Sequence, residues 1–318
     1  MTDVRSLRRP ILNAGLRLLG KALSLGRDAT DTIIVASSPR GGSTWLAEVI
    51  GTLPGYPMLF EPLNVNRNPE CEEYGFTWQT YVPPGADEPQ KREYLEQVFT
   101  GRNLSTRLVT RRHFSAGQFL RLRGYLPKFT NANLLLYWML EQFPVRAVLM
   151  IRHPCAVVSS QLRHGGWDVV TKENLTLPAG IESSYSHLRD LHERIESQEE
   201  ALALEWATQT YIPLSQLEPH PWYLTTYERL LTDGPDELDR IFNYLGVSPP
   251  EQAFQQLRIP SGTARPDSDI ARGQASVSGW RERLTSAQVE RIMKVVREAG
   301  IDFYDDGPLP DYEKLGLP

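Results

Sequence analysis

TIIVASSPRGGSTWLAEVI, residues 32–50, decides how this chain folds. Ile33 to Ala36 are four apolar residues in a row, the pattern of a short strand buried on both faces of a parallel sheet. They run into Ser37-Ser38-Pro39-Arg40-Gly41-Gly42-Ser43-Thr44, after which Trp45, Leu46, Val49 and Ile50 recur at helical spacing. A strand, a Gly/Ser/Pro turn and a helix start leave free backbone amides at the positive end of the helix dipole, a seat for an anion. Gly41 and Gly42 let the backbone approach closely and take positive φ, while Ser43 and Thr44 add hydroxyl donors. The turn differs from the P-loop of ATP and GTP users, which needs a Lys directly after its second Gly. Ser43 stands at that position, and the cation, Arg40, precedes Gly42 by two residues. Such a turn can hold a phosphate but lacks the usual means of handling a magnesium triphosphate; the plainer alternative is a tight turn with no ligand.

The same alternation continues along the chain. Residues 106–110 read as a short strand ending in Arg111-Arg112-His113, and 131–143 as an apolar helix that stops at Pro144. RAVLMI, 146–151, is a second buried strand, followed at once by Arg152-His153-Pro154 and a helix carrying Ser159 and Ser160. Residues 182–214 read as one long, charged, exposed helical stretch, 222–226 as a strand, and 236–245 as a helix closed by Gly246. Residues 260–279 read as a mobile connection, and a last helix begins at Thr285, whose spacing to Gln288 is that of a capping box. Strand–helix alternation of this kind predicts an α/β fold: a doubly wound parallel sheet with helices on both faces and ligands at the carboxyl ends of its strands.

The 318 residues carry 41% hydrophobic and 23% charged side chains, ordinary for a globular chain, and a net charge of −5 gives no reason to expect nucleic acid as partner. Two cysteines, Cys71 and Cys155, are too few for a disulfide framework and fit a reducing, cytoplasmic compartment. No apolar run approaches the roughly 20 residues that span a bilayer. Residues 1–29 are set apart as an amphipathic N-terminal helix and 30–318 as the main domain. In residues 10–25, Ile11, Leu12, Leu16, Leu19 and Leu23 recur among Arg17 and Lys21. Such a helix either docks on the domain or lies on a membrane surface. Residues 64–94, rich in Asn, Pro, Glu and aromatics, have no clear period and read as a long excursion beside a site.

Arg152, at the end of a buried strand, needs an anion or a carboxylate to meet its charge, and Ser160 follows eight residues later. Two anion sites at two strand ends of one sheet point to a ligand phosphorylated at both ends. With these motifs the chain resembles the sulfotransferase family, which uses 3′-phosphoadenosine 5′-phosphosulfate as donor. Pro39-Arg40-Gly41-Gly42-Ser43-Thr44-Trp45 resembles that family's 5′-phosphosulfate loop, and Arg152, Pro154 and Ser160 its 3′-phosphate motif. The resemblance implies that Trp45 and Tyr227 (in Tyr227-Glu228-Arg229-Leu230) border the adenine. It also makes Arg272-Gly273 a further, partial match to a 3′-phosphate segment, with a spacing to Trp280 two residues longer than the family's.

The implied activity is in-line transfer of a sulfuryl group to an acceptor hydroxyl with no metal, Arg40 and the loop amides offsetting charge on the leaving phosphate. Two residues compete as general base. Glu61, in Leu59-Phe60-Glu61-Pro62-Leu63, resembles a segment of the carbohydrate sulfotransferases and takes first place. His113, in Thr110-Arg111-Arg112-His113, resembles the cytosolic branch, with Arg111 where that branch has a Lys on the sulfuryl group. The acceptor implied is a small molecule or a carbohydrate. The alternatives are a catalytically inactive nucleotide-binding protein of the same fold and a P-loop-like, ATP-dependent kinase.

Overall fold

Alternate residues of the strand Ile33–Ser37 (β1) feed two separate cores: Ile33 and Val35 enter one, Ile34 and Ala36 the other. Such a division requires a sheet covered on both faces. In the structure, a computed structural model that describes residues 4–216, 218–263 and 276–317, that sheet has five strands. The others are Met58–Phe60 (β2), Leu126–Phe129 (β3), Arg146–Ile151 (β4) and Tyr223–Thr226 (β5). Their spatial order is β2-β3-β1-β4-β5, and every pairing is parallel. One core packs helices Ser43–Ile50, Gly234–Tyr244 and Glu251–Gln256 on the sheet. The opposite core packs Leu136–Gln142, Pro154–His164, Gln198–Leu214 and Ser286–Glu298. The chain is therefore the doubly wound α/β protein that its alternation predicts.

The connection after β1 runs to β2 on one side of it and the connection after β4 runs to β5 on the other, so the strand order reverses between β1 and β4. A crevice opens at the carboxyl ends of the strands at such a reversal. The 37–44 turn and the residues after β4 and β2 all meet there.

Three expectations are corrected. Residues 106–110 form turns, not a strand. Leu108 and Val109 are buried, but Asn13 accepts hydrogen bonds from the Thr106 amide and hydroxyl, and the place beside β1 is filled by β3. Strand β3 was hidden by Pro127 and Lys128, residue types that weaken a strand reading. Residues 182–214 form two helices, Ser186–Arg194 and Gln198–Leu214, because Ser197 and Glu200 make a capping box that starts the second one afresh. That second helix is largely buried: its charge is concentrated at its start, and Ala201 to Ala207 lie inside. The connection read over 260–279 falls largely outside the described residues, as do Arg272 and Gly273.

Candidate active site

The turn after β1 places a guanidinium and a helix start at one spot. Gly42 caps the helix Ser43–Ile50 at φ 103°, and no side chain caps its first turn, so the amides there stay available for a ligand. A Cβ on Gly42 would stand 2.7 Å from the Tyr227 ring and 2.8 Å from Met150. A Cβ on Gly41 would meet the Ser37 hydroxyl at 2.0 Å. Both positions therefore exclude any side chain.

Arg40 reaches across the sheet. Its Nε donates to Ser160 Oγ at 3.0 Å, and its carbonyl accepts from Arg152 Nη1 at 3.2 Å. Arg152 lies over the Tyr227 ring, 4.0 Å from the centroid, and its buried Nε has no hydrogen-bond partner among the described residues. Tyr227 packs against Trp45 with ring centroids 5.3 Å apart, and burial raises its phenol. The loop residues, Arg152, Ser160, Trp45 and Tyr227 thus share one cavity of about 360 Å³.

The opposite wall of that cavity comes from β2 and β3. Glu61 follows β2, and its carboxylate accepts from Lys128 Nζ on one oxygen and from Thr130 Oγ1 on the other. The backbone there is unusual. Glu61 has φ 53° and Arg40 has φ 65°, and these are the two non-glycine residues with positive φ among the described residues. The left-handed region is unfavourable for such side chains and persists where surrounding bonds over-determine it. Around Glu61 they do so: its amide donates to the Lys128 carbonyl at 2.9 Å, and its carbonyl accepts from Asn68 Nδ2 at 2.7 Å. Both uncommon conformations aim at the same cavity.

Charge in the cavity runs against the chain's own balance. Among the described residues its wall carries Arg40, Lys128, Arg152, Arg163 and Arg283 and one carboxylate, Glu61, in a protein of net charge −5. Burial, and then the Arg163 and Arg152 guanidiniums, hold Arg283 below the usual arginine range. A site that crowds cations in this way is electrostatically matched to a multiply charged anion.

Away from the cations the wall becomes aromatic and polar. Trp78 and Trp167 stand 6.5 Å apart, and Asn64 and Phe60 complete this side, so the 64–94 excursion and the stretch that follows the helix Pro154–His164 both reach the cavity. Under Trp78 lies Glu205, which accepts from Gln79 Nε2 at 2.7 Å and is pushed up to about 7 by burial, an effect that bonds from Trp78 and Gln79 partly offset.

His113 stands apart from this cavity. It lines a second one of about 430 Å³ with Glu48, Arg112 and Gln118; its Nε2 is 3.1 Å from Glu48 Oε1, and its ring stacks on Phe60 at 5.5 Å. Arg111 is exposed and lines neither cavity. His153 caps the helix after β4. Its Nδ1 accepts from the Cys155 amide at 3.2 Å, which leaves Nε2 to donate to the Asp305 carbonyl at 3.1 Å. Burial holds its imidazole down at about 4. Both cysteines are buried free thiols, each pushed up to about 12 by burial.

Sequence reasoning missed Lys128, Thr130, Arg163, His164 and Arg283 as lining residues. Lys128 left one trace, a lone cation inside the apolar run Tyr125–Phe129, which is costly unless an anion answers it.

No protein-family model matches the chain, and no curated protein matches it. Solved structures do. The sulfotransferase domain of the curacin biosynthetic pathway matches at 15% identity and a TM-score of 0.46, over 85% of this chain and 97% of that one. A mouse sulfotransferase complexed with PAP matches at 13% and 0.46, over 91% and 90%. Retinol dehydratase in a complex with retinol and PAP matches at 13% and 0.44, over 92% and 88%. In fold the chain is similar to these proteins.

Proposed function

We propose that the protein is a sulfotransferase that moves a sulfuryl group from 3′-phosphoadenosine 5′-phosphosulfate to an acceptor hydroxyl. The observation that carries this reading is the cationic cavity at the switch point, with a phosphate-sized loop at Arg40–Thr44 and a second anion position at Arg152 and Ser160. The donor set fits a nucleotide phosphorylated at both ends: open helix amides beside Gly42, a buried Arg152 Nε with no hydrogen-bond partner among the described residues, and the Trp45–Tyr227 pair as an aromatic border. When bound, the donor would supply a sulfuryl group on a phosphate leaving group.

The chain's own residues would do the rest. Arg40 and the loop amides bind and neutralise the 5′ end, and Arg152 and Ser160 the 3′-phosphate. Glu61 faces the same cavity and takes the proton of the acceptor hydroxyl. Lys128 and Thr130 fix its carboxylate, and Lys128 adds positive charge where negative charge builds during transfer. Glu61 is preferred to His113 because it shares the cavity of Arg40, whereas His113 lines another. The Trp78–Trp167 wall favours an acceptor with a flat or ring-shaped face, a small molecule or a sugar.

The test is calorimetric titration with adenosine 3′,5′-bisphosphate, ADP and ATP, with and without magnesium, on the wild type and on Arg152→Ala. The expected result is tight metal-independent binding of the bisphosphate, far weaker binding of ADP, and loss of that preference in the variant. Best binding of ATP with magnesium would overturn the reading in favour of a kinase. Bisphosphate binding with no sulfuryl transfer by the wild type, and so nothing for substitution of Glu61 or His113 to lower, would mark a nucleotide-binding protein without catalysis.

A further inference from the structure

The helix Val4–Leu23 is docked and exposed at once. Its inner side is fixed: Leu16 and Leu23 pack on the core, and a Cβ on Gly20 would stand 2.3 Å from the Gly101 carbonyl oxygen. Asn13 holds the Thr106 amide and hydroxyl at 2.8 and 2.7 Å. Just past the helix, Arg27 donates to the carbonyls of Leu122 and Arg123. Amphipathicity is usually spent on such docking, yet this helix carries a second apolar face. Ile11 is 69% exposed, Leu12 51%, Leu18 70%, Leu19 38%, and Leu25, in the turn after the helix, 82%. Ile11 and Leu18 stand seven residues apart and Leu12 and Leu19 repeat the interval one position on, so these four make a ridge along the outer side of the helix, with Leu25 exposed in the turn beyond it.

Charge names the occupant. Residues 4–23 contain Arg5, Arg8, Arg9, Arg17 and Lys21 and no acidic residue, in a chain whose net charge is −5. Arg17 reaches Glu70 at 3.4 Å, and a second copy of the chain would still set two helices of like charge against each other. An anionic bilayer answers both features, since acyl chains take the leucines and headgroups meet the basic residues. No helix among the described residues is long and apolar enough to cross a membrane, so this one would lie in the surface plane.

We propose that the outer face of the helix Val4–Leu23 binds the surface of membranes rich in anionic lipid and presents the α/β domain to that surface. The inference does not depend on the catalytic reading.

The test is co-sedimentation of the full chain with phosphatidylcholine vesicles, with and without phosphatidylserine, at low and high salt. The expected result is binding that needs phosphatidylserine, weakens with salt, and falls on the order of tenfold in Lys21→Glu. Leu18→Ser and Ile11→Ser, which alter only exposed side chains, should lower it comparably while the thermal transition stays in place. Equal binding to both vesicle types, no binding to either, or unchanged binding in these variants would overturn the proposal. So would a wild-type dimer in sedimentation velocity that Leu18→Ser converts to monomer, since the ridge would then be an interface between copies.

Discussion

Lys128 and Glu61, sixty-seven positions apart in sequence, form an ion pair in which both side chains are almost wholly buried. Two strands converge to make it: β2 delivers the carboxylate and β3, beside it, the ammonium. Removing one member of a buried pair leaves an uncompensated charge, so Lys128→Met should cost roughly 3–5 kcal/mol of stability. Glu61→Gln also leaves the buried Lys128 ammonium without its counter-charge but keeps a hydrogen-bond acceptor for it, so it should destabilise by less than Lys128→Met, while lowering turnover by about 10²–10⁴ if Glu61 is the base. Denaturant unfolding and single-turnover assays separate the two effects. A stable Lys128→Met protein would contradict the burial argument.

Gly42 is the position where the turn after β1 tolerates least. With φ at 103° and ring carbon and methionine methyl within 3 Å of any added Cβ, Gly42→Ala should destabilise by roughly 1–3 kcal/mol and push Tyr227 out of place. Because Tyr227 carries Arg152 on its ring, bisphosphate affinity should fall as well. Titration of a variant that remains folded checks this, and unchanged affinity would separate the loop from the second anion position.

What could be read in advance followed from local chemistry. The strand–turn–helix at 32–50, the Arg152 strand end and the Thr285 cap all announce themselves within ten or so residues, by periodicity and by capping types. The other half of the cavity did not. Lys128 lies in a strand that Pro127 disguises, Arg283 just past a 3₁₀ turn at Gly279–Glu282, and both matter only through residues far off in sequence. Residues 106–110 misled for the converse reason, since an apolar stretch can be buried in a turn once the sheet position is taken.

Glu205 and His153 set opposite pH dependences. Burial raises the Glu205 carboxyl from 4.5 to about 7, so the unfolded chain ionises first and stability falls as pH rises from about 4.5 to about 7. Burial lowers the His153 imidazole from 6.5 to about 4, so the unfolded chain binds the proton first and stability falls as pH drops from about 6.5 to about 4. The two slopes oppose each other through much of that range. Glu205→Gln removes one of them while keeping an acceptor under Trp78. Its stability relative to wild type should be near zero at pH about 4 and grow to on the order of 3 kcal/mol by pH about 7. Thermal melts across this range check it, and a pH-independent difference would mean that Glu205 does not titrate there.

His113 offers the sharpest test of the base assignment. Its ring is held between Thr110, whose hydroxyl is 2.9 Å from Nδ1, and Glu48, 3.1 Å from Nε2, in a cavity that neither Arg40 nor Ser160 lines. A histidine with both nitrogens engaged, in a cavity separate from the Arg40 loop, cannot take a proton from an acceptor there without first releasing one of these partners. His113→Ala should therefore lower turnover only a few-fold, about 1 kcal/mol of barrier or less, through loosened packing of Phe60. Glu61→Gln should lower it by orders of magnitude, with bisphosphate affinity kept in both variants. Loss of turnover by orders of magnitude in His113→Ala, with Glu61→Gln still active, would reverse the assignment and require that the wall between the two cavities opens when the acceptor binds.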